Sequence, residues 1–132
     1  MEEIFSRMNI SKDTINQMIE MCPNIKELSK DEILNKIAIL NKIGCNAMQI
    51  RDIISSNPRY LDRLDSDIDK LVKKLKEFGF TRLELLFDGN PYILNLDDFE
   101  IENYIKNREA NGEKQEDIVD EMEANPILFE KI

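Results

Sequence analysis

Apolar residues recur along this chain at helical spacing, and the prolines mark the period. Pro23, Pro58, Pro91 and Pro126 are separated by 35, 33 and 35 residues. A fixed period between about 20 and 50 residues is typical of arrays of short structural repeats. The prolines therefore divide the chain into four units of similar length.

A short amphipathic helix is predicted before each proline. Apolar side chains lie eight and four positions upstream, where they share one helical face. These residues are Ile15 and Ile19, Ile50 and Ile54, Leu83 and Phe87, and Ile118 and Met122. Each helix is expected to end just before its proline, because that position is forced out of the α region, and Asn can cap the carbonyl end there. The residues at this position are Cys22, Asn57, Asn90 and Asn125.

A longer helix is predicted upstream of a turn in each unit. Gly44, Gly79 and Gly112 lie 12 to 14 residues before the prolines, and Asn9 takes the same place in the first unit. Glycine best tolerates the left-handed conformation that ends many helices. Apolar residues lie eleven and seven positions before the glycines, at Ile33 and Ile37, Ile68 and Val72, and Ile101 and Ile105.

Local signals agree with these helix ends. Ser29 with Glu32 and Thr81 with Glu84 have the spacing of a capping box, and Asn46 with Gln49 is similar. The apolar tail after each proline is too short for an α-helix, so a 3₁₀ turn packed on the core is expected. Apolar residues at 25, 60, 93 and 128 lie in these tails. No segment alternates at period two, so no sheet is expected.

These elements predict an all-α fold, a short right- or left-handed α-solenoid of about four helix–turn–helix–3₁₀ repeats of 33–35 residues. We predict one domain over residues 1–132, with repeats at about 1–28, 29–61, 62–94 and 95–132. The residues that define the repeat are structural: Pro23, Gly44, Pro58, Gly79, Pro91, Gly112 and Pro126.

The spacing also distinguishes between families of helical repeat. Tetratricopeptide repeats place glycine inside the first helix and proline about 24 residues later, which this chain does not. The pattern instead resembles the mTERF (mitochondrial transcription termination factor) family, whose unit is two helices and a 3₁₀ turn, with a Leu-Gly-like turn and a Pro-x-apolar-Leu-like end. The matching segments are 43–45 with 57–61, 78–80 with 90–94, and 111–112 with 125–128; the first unit, 8–10 with 22–25, lacks the glycine. The resemblance covers nearly the whole chain and implies a nucleic-acid-binding solenoid with a basic concave face.

Net charge favours a different partner. The chain has 27 acids and 18 bases, a formal charge of −9, with four bases and twelve acids in residues 95–132. Nucleic acids and anionic membranes both attract positive surfaces. On this ground we predict a binding module for a protein or peptide partner, and the alternative is an mTERF-like nucleic-acid-binding regulatory protein. No apolar run approaches the roughly 20 residues that span a bilayer, so no membrane role is expected.

Catalytic chemistry is not indicated by the composition. The chain has no His and no Trp, and its two cysteines are Cys22 and Cys45. The commonest general base, the usual zinc ligand and the Cys–His nucleophile pair are therefore absent. We predict no enzyme activity, no cofactor and no metal, and we expect both thiols to be buried. The acidic segment Met1–Ile4 lacks the features of a signal peptide, so a cytoplasmic location is expected.

Two charged clusters are candidate sites. Possible nucleic-acid contacts are Arg59, Arg63, Lys70, Lys73, Lys74 and Arg82. Acids are interleaved with these bases and the lysines do not recur at one column of the repeat, so we interpret the cluster as a solvated helix face; phosphate contact is the alternative.

The acidic cluster lies in the last unit, at Glu113, Glu116, Asp117, Asp120, Glu121 and Glu123. Terminal repeats need a polar outer face, so we interpret this cluster as a cap, with an acidic surface for a basic partner as the alternative. Tyr60 is expected in the core. For Tyr92, core packing and base stacking both remain open.

Overall fold

The computed structural model describes all 132 residues and contains helices and no strand, which confirms the all-α prediction. The first four α-helices and two 3₁₀ helices are α1 (Glu2–Arg7), α2 (Lys12–Met21), η1 (Pro23–Glu27), α3 (Lys30–Ile43), α4 (Ala47–Ser56) and η2 (Pro58–Asp62). The remaining elements are α5 (Asp65–Phe78), α6 (Leu83–Gly89), η3 (Pro91–Asn95), α7 (Asp98–Ala110), α8 (Gln115–Ala124) and η4 (Pro126–Lys131).

The chain divides into two compact units, Met1–Arg63 and Leu64–Ile132. Each unit contains two modules of long helix, turn, short helix and 3₁₀ helix, apart from the clipped first helix α1. The repeat bounds and the single domain given above stay predictions.

The four predicted turn residues all have left-handed backbone. Their φ angles are 64° at Asn9, 120° at Gly44, 102° at Gly79 and 93° at Gly112. Asn is one of the few residues with a side chain that tolerate this region, which explains how the first repeat makes the turn without glycine. The predicted role of the turn column is confirmed.

Each proline begins a 3₁₀ helix, as predicted. The preceding residues have φ between −134° and −147°, so they do not form the left-handed cap that ends many helices. The side chain of Asn90 makes other hydrogen bonds than the predicted cap of the carbonyl end of the helix. Its Oδ1 accepts the Tyr92 N–H at 3.2 Å, and its Nδ2 donates to the Pro126 carbonyl of the next module at 3.1 Å. The Asn side chain therefore joins two modules.

The helix starts follow the predicted capping boxes in two of three places. Ser29 and Asn46 cap α3 and α4 as predicted. The box at Thr81 is wrong, because α6 begins later and the Thr81 N–H donates to Glu123 Oε1 of α8 at 2.8 Å. An acceptor distant in sequence thus replaces the local one. At the start of α7 the Asp97 N–H donates to Glu100 Oε2 at 2.9 Å.

In the first unit α2 packs on α4, α3 packs on α4, and η1 packs on η2. The core is formed by fully buried side chains, among them Phe5, Met18, Ile25, Leu40, Ile53 and Tyr60. The Tyr60 hydroxyl donates to the backbone carbonyl of Lys36 at 2.6 Å, which satisfies a polar group inside this core. The prediction that Tyr60 is a core residue is confirmed.

In the second unit the long helices α5 and α7 pack side by side, α7 packs on α8, and α6 packs on η4. Buried residues from all of these elements form its core, including Leu75, Leu86, Ile105, Met122 and Phe129. The rings of Phe80 and Phe129 lie 5.8 Å apart, so the turn after α5 is tied to the last 3₁₀ helix.

Most of the predicted apolar columns are buried, although Ile19, Ile37 and Leu128 are only half-buried. The structure adds two columns that the sequence did not reveal. One lies four residues before the turn residue and the other five residues before the proline. They contain the buried pairs Phe5 with Met18, Leu40 with Ile53, and Leu75 with Leu86.

The last module places an ion pair in these two columns. Arg108 Nη2 lies 2.7 Å from Glu121 Oε2, and Arg108 Nε lies 2.8 Å from Glu113 Oε2. The guanidinium also lies over the Tyr104 ring, 5.7 Å from its centre. The hydrogen bonds that Arg108 donates to Glu113 and Glu121 raise the pKa of Arg108, and the bond from Arg108 lowers the pKa of Glu113. A polar cluster therefore replaces a core pair at this end of the second unit.

Truncating the predicted core columns should destabilise the protein. Ile50 and Leu83 are each 4% exposed, so Ile50→Ala and Leu83→Ala should each cost about 2–5 kcal/mol of unfolding free energy. Met48→Ala and Leu85→Ala, at exposed neighbouring positions, are the controls and should change it by less than about 0.5 kcal/mol. Urea denaturation measures both pairs. A loss below about 1 kcal/mol at both core sites would contradict the assigned register.

The Arg108 cluster should make part of the stability depend on pH. Because the folded pKa of Glu113 lies below its ordinary value of 4.5, its contribution is complete above that value and is lost as pH falls through the folded pKa. Arg108→Met should therefore lower the unfolding free energy at pH 7, and the difference from the parent chain should shrink below about pH 4.5. Arg82→Met is the control, since Arg82 is exposed and makes no ion pair. A pH-independent difference would refute the linkage.

Candidate nucleic-acid interface

The exposed side of the two long helices of the second unit carries a group of lysines, here called the lysine ridge: Lys70, Lys73 and Lys106. Lys70 and Lys73 lie one turn apart on α5, and Lys106 lies on α7, which packs alongside. All three are exposed, Lys73 and Lys106 by 70% and 64% of their side chains. The apolar faces of these helices point into the core, so the ridge faces solvent.

Ion pairs on the ridge are exposed and exchangeable. Lys73 Nζ lies 2.9 Å from Asp69, and Lys106 Nζ lies 3.0 Å from Glu102. The Asp69 carboxylate raises the pKa of Lys73, so this lysine stays charged at neutral pH. Lys70 makes no ion pair. Solvent-exposed pairs contribute little to stability, so a phosphate can take the place of the Asp69 carboxylate, which is 61% exposed.

Lys74 has a different environment from its neighbours. Its side chain is only 21% exposed and its Nζ lies 3.3 Å from Glu77 and 3.6 Å from Glu102 of α7. Hydrogen bonding to Glu77 raises the pKa of Lys74, and Lys106 with Lys74 lowers that of Glu102. Lys74 therefore connects α5 to α7 through Glu102, the carboxylate that also pairs with Lys106.

The six candidate bases from the sequence do not form one patch. Lys70, Lys73 and Lys74 lie on α5, but Arg82 precedes α6 and borders a groove with Asp120 and Glu123 of α8. Arg59 and Arg63 belong to the first unit, where Arg59 is exposed on η2 and Arg63 is half-buried after it. Within the second unit, the structure brings together only the α5 lysines, and it adds Lys106.

Sequence analysis missed Lys106, although a signal was present. Lys73 and Lys106 both lie six residues before the turn glycine of their modules. The statement that the lysines share no column of the repeat was therefore wrong for this pair. At the same position of the repeat, the second module has Ala38 and the first has Glu3. The recurrence of lysine is therefore confined to the last two modules.

The acidic cluster is also divided by the structure. Glu113 and Glu121 bind Arg108, and Glu123 accepts the Thr81 N–H. The other three acids, Glu116, Asp117 and Asp120, are exposed and make no ion pair. Three of the six acids therefore make contacts within the second unit, and the other three are solvent-facing negative charge on α8; the capping role stays a prediction.

Charge is segregated between the units and between the helix layers. The first unit has nine bases and nine acids, and the second has nine bases and eighteen acids. Within the second unit, the short helices α6 and α8 contain seven acids and no base, whereas α5 and α7 contain eight acids and six bases. Most of the net charge of −9 therefore lies on the short helices.

The other candidate features have simpler roles. Tyr92 is 53% exposed at the second position of η3, so it is not a core residue. Cys22 and Cys45 are buried, as expected, and form no disulfide; burial, followed by the charge of Asp62, raises the pKa of the Cys22 thiol. No group of three or more acids or thiols converges as metal ligands would. No helix is long and apolar enough to cross a bilayer.

A cavity of about 480 Å³ lies in the first unit, between the turn after α1 and the start of α4. Polar side chains at its edge include Arg7, whose Nη2 lies 3.0 Å from Glu3, and Asn46, which caps α4. Ile37 and Ile50 form apolar walls. These polar groups are engaged in local contacts, so the cavity presents no charge that selects a ligand.

The repeat geometry and the comparison with known families lead to one class of protein, the helical-repeat arrays of the mTERF type. The mTERF family model matches residues 2–97, nearly three-quarters of the chain. The chain belongs to the mTERF family, which confirms the resemblance and the α-solenoid fold class inferred from the repeats. Searches of curated proteins and of solved structures return no match.

Proposed function

We propose that this chain is a non-catalytic nucleic-acid-binding protein of the mTERF family and that the lysine ridge contacts the phosphate backbone. The observation that carries the proposal is the alignment of Lys70, Lys73 and Lys106 on adjoining exposed helix faces. Membership in a family of nucleic-acid-binding factors supports it. That membership favours nucleic acid over the protein or peptide partner that net charge alone suggested.

The net charge does not prevent this role, because most of it lies on the short helices: α6 and α8 contain seven acids and no base, whereas α5 and α7 contain eight acids and six bases. The helix layers of a packed unit lie about 8–10 Å apart, and side chains on their outer faces point away from each other. At physiological ionic strength the Debye length is about 8 Å, so the acids of α6 and α8 are largely screened from a phosphate at the ridge. Local potential therefore matters more than the total of −9.

The ridge would supply affinity with little sequence selectivity. Lysine recognises phosphate as a point charge and does not read base edges in the way that bidentate arginine does. Contacts to phosphate position a protein on nucleic acid but carry no direct sequence information. We therefore expect micromolar, strongly salt-dependent binding, in the range of about 10⁻⁴–10⁻⁶ M at physiological salt.

Charge reversal on the ridge tests the proposal. Lys70→Glu with Lys73→Glu should weaken binding to a labelled 20-base-pair duplex at least tenfold at 50 mM salt, measured by fluorescence anisotropy. The slope of log K against log salt should also become shallower by about two, because each phosphate contact contributes about −0.9.

The matched control carries the same change of net charge away from the ridge. Lys114→Glu with Lys131→Glu alters two exposed lysines beside α8 and in η4, and its affinity should stay within about threefold of the parent chain. Equal loss in the control and the ridge variant would show that only total charge matters. No binding by the parent chain at 50 mM salt would refute the proposal.

The absence of a catalytic step and the cytoplasmic location are further parts of this proposal. The lack of His and of a glycine-rich phosphate loop in the sequence supports the first. The second stays a prediction.

A further inference from the structure

A groove opens between the short helices α6 and α8 of the second unit. Its volume is about 290 Å³, and it is lined by Arg82, Leu85, Leu86, Asp120, Glu123 and Ala124. Leu86 is buried at its base, whereas Leu85 is 50% exposed on its wall. The bond from the Thr81 N–H to Glu123 Oε1, at 2.8 Å, connects the two sides. The groove is therefore a fixed feature with an unoccupied apolar wall.

The α8 side of this groove is negatively charged. Glu116, Asp120 and Glu123 are spaced four and three residues apart, so they form one row along α8. Glu116 and Asp120 make no ion pair, and Glu123 keeps its second carboxylate oxygen free of the Thr81 bond. Arg82, at the opposite edge, is the single base that lines the groove. The groove thus combines an exposed leucine with a row of available carboxylates.

The lysine ridge carries charges of the opposite sign, of which Lys70 is unpaired while Lys73 and Lys106 pair with Asp69 and Glu102. Phe99, Asn103 and Lys106 are spaced four and three residues apart along α7, and Phe99 is 56% exposed. The ridge therefore combines an exposed aromatic ring with a row of lysines, on the outer side of the long-helix layer. The groove lies in the short-helix layer of the same unit. One copy of the unit cannot join its own two surfaces, since each faces away from the core that lies between them.

We propose that the groove receives the lysine ridge of a second copy of this chain, and that this self-association competes with nucleic acid for the ridge. The carboxylates of α8 pair with Lys70, Lys73 and Lys106 of the other copy, and Leu85 and Phe99 supply the apolar contact. The contact is heterologous, because each copy uses a different surface, so it can extend beyond two copies. This inference uses the ridge of the proposed function and adds a regulation of that site.

Ionic strength controls such an assembly. Exposed charge pairs are screened by salt, and the apolar part of the contact is small, so the association should be seen at low salt and should vanish at high salt. A nucleic acid carries one phosphate charge per about 1.7 Å of duplex and displaces carboxylates from the ridge. Addition of a 20-base-pair duplex should therefore dissociate the copies.

Sedimentation velocity of the full chain tests the inference. At about 100 μM protein and 25 mM salt the weight-average mass should be at least twice the monomer mass of 15.5 kDa, and it should return to the monomer at 500 mM salt. Glu116→Lys with Asp120→Lys should give a monomer at low salt while keeping nucleic-acid binding. Lys70→Glu with Lys73→Glu should lose both properties.

Mixing the groove variant (Glu116→Lys with Asp120→Lys) with the ridge variant (Lys70→Glu with Lys73→Glu) should restore association. Each variant keeps one original surface, so an equimolar mixture should form a 1:1 complex although neither variant associates alone. Glu20→Lys with Glu27→Lys is the control for the groove variant, because it makes the same charge change at exposed sites of the first unit. This control should associate like the parent chain.

The outcomes separate this inference from the proposed function. A parent chain that stays monomeric at low salt, or a groove variant that associates as the parent does, overturns self-association whatever the nucleic-acid result. Absence of nucleic-acid binding by a parent chain that shows groove-dependent association would instead overturn the proposed function and the competition with nucleic acid, and would leave the self-association standing. Circular dichroism of every variant shows whether the helices are retained.

Discussion

The junction between each short helix and its proline is the constraint on which the repeat depends. Proline removes a backbone donor and forces the preceding residue out of the α region, so the helix must stop and the chain turns into a 3₁₀ helix. That turn places buried side chains such as Tyr60 and Ile93 against the core. In the second unit, the last of these turns also brings Pro126 close to the preceding module. The Pro126 carbonyl accepts a hydrogen bond from Asn90, and the proline ring lies 3.2 Å from the position that a Cβ on Gly89 would take. A local steric rule thereby sets the contact between modules.

The packing of long helices in one layer and short helices in another then separates the charged residues of the second unit. Because the long and short helices bury their apolar faces between them, most charged residues on them are directed to the outer sides, and Arg108, which pairs with Glu121 of α8, is an exception. The lysines of α5 and α7 fall on one side and the bases are absent from α6 and α8. A protein with a large net negative charge can therefore present lysines on a layer whose own charge is close to balanced, six bases against eight acids. The short-helix layer, with seven acids and no base, is the more negative of the two.

Features fixed by neighbouring residues could be predicted from the sequence. The left-handed turns, the proline-initiated 3₁₀ helices and the caps at Ser29 and Asn46 all arise within a few residues. The cap at Thr81 was mispredicted because its N–H is bound by Glu123, more than forty residues away. Two core columns were missed because Arg108 and Glu121 occupy them in the last module, which breaks the apolar pattern.

The candidate site was less predictable for the same reason. The sequence indicates that lysines cluster on α5. Only the packing of α5 on α7 shows that Lys106 joins this surface and that Lys74 makes an ion pair between the two helices. Arg82 is close to these lysines in sequence, yet it borders a groove on the short-helix side. Six bases within a short stretch of sequence thus correspond to separate surfaces.

The residue before the proline is not the same in every module, and the side-chain bond that it can make to the next module differs with it. Asn90 ties its module to the next through a side-chain bond, but Cys22 stands at the same position in the first module, and a thiol is a weak donor. There the neighbouring 3₁₀ helices share the solvent-exposed bond from Asn24 to Asp62, at 3.3 Å. Such a joint yields more readily to thermal fluctuation or to pulling. The junction between the first two modules is consequently a place where we expect local opening within the first unit.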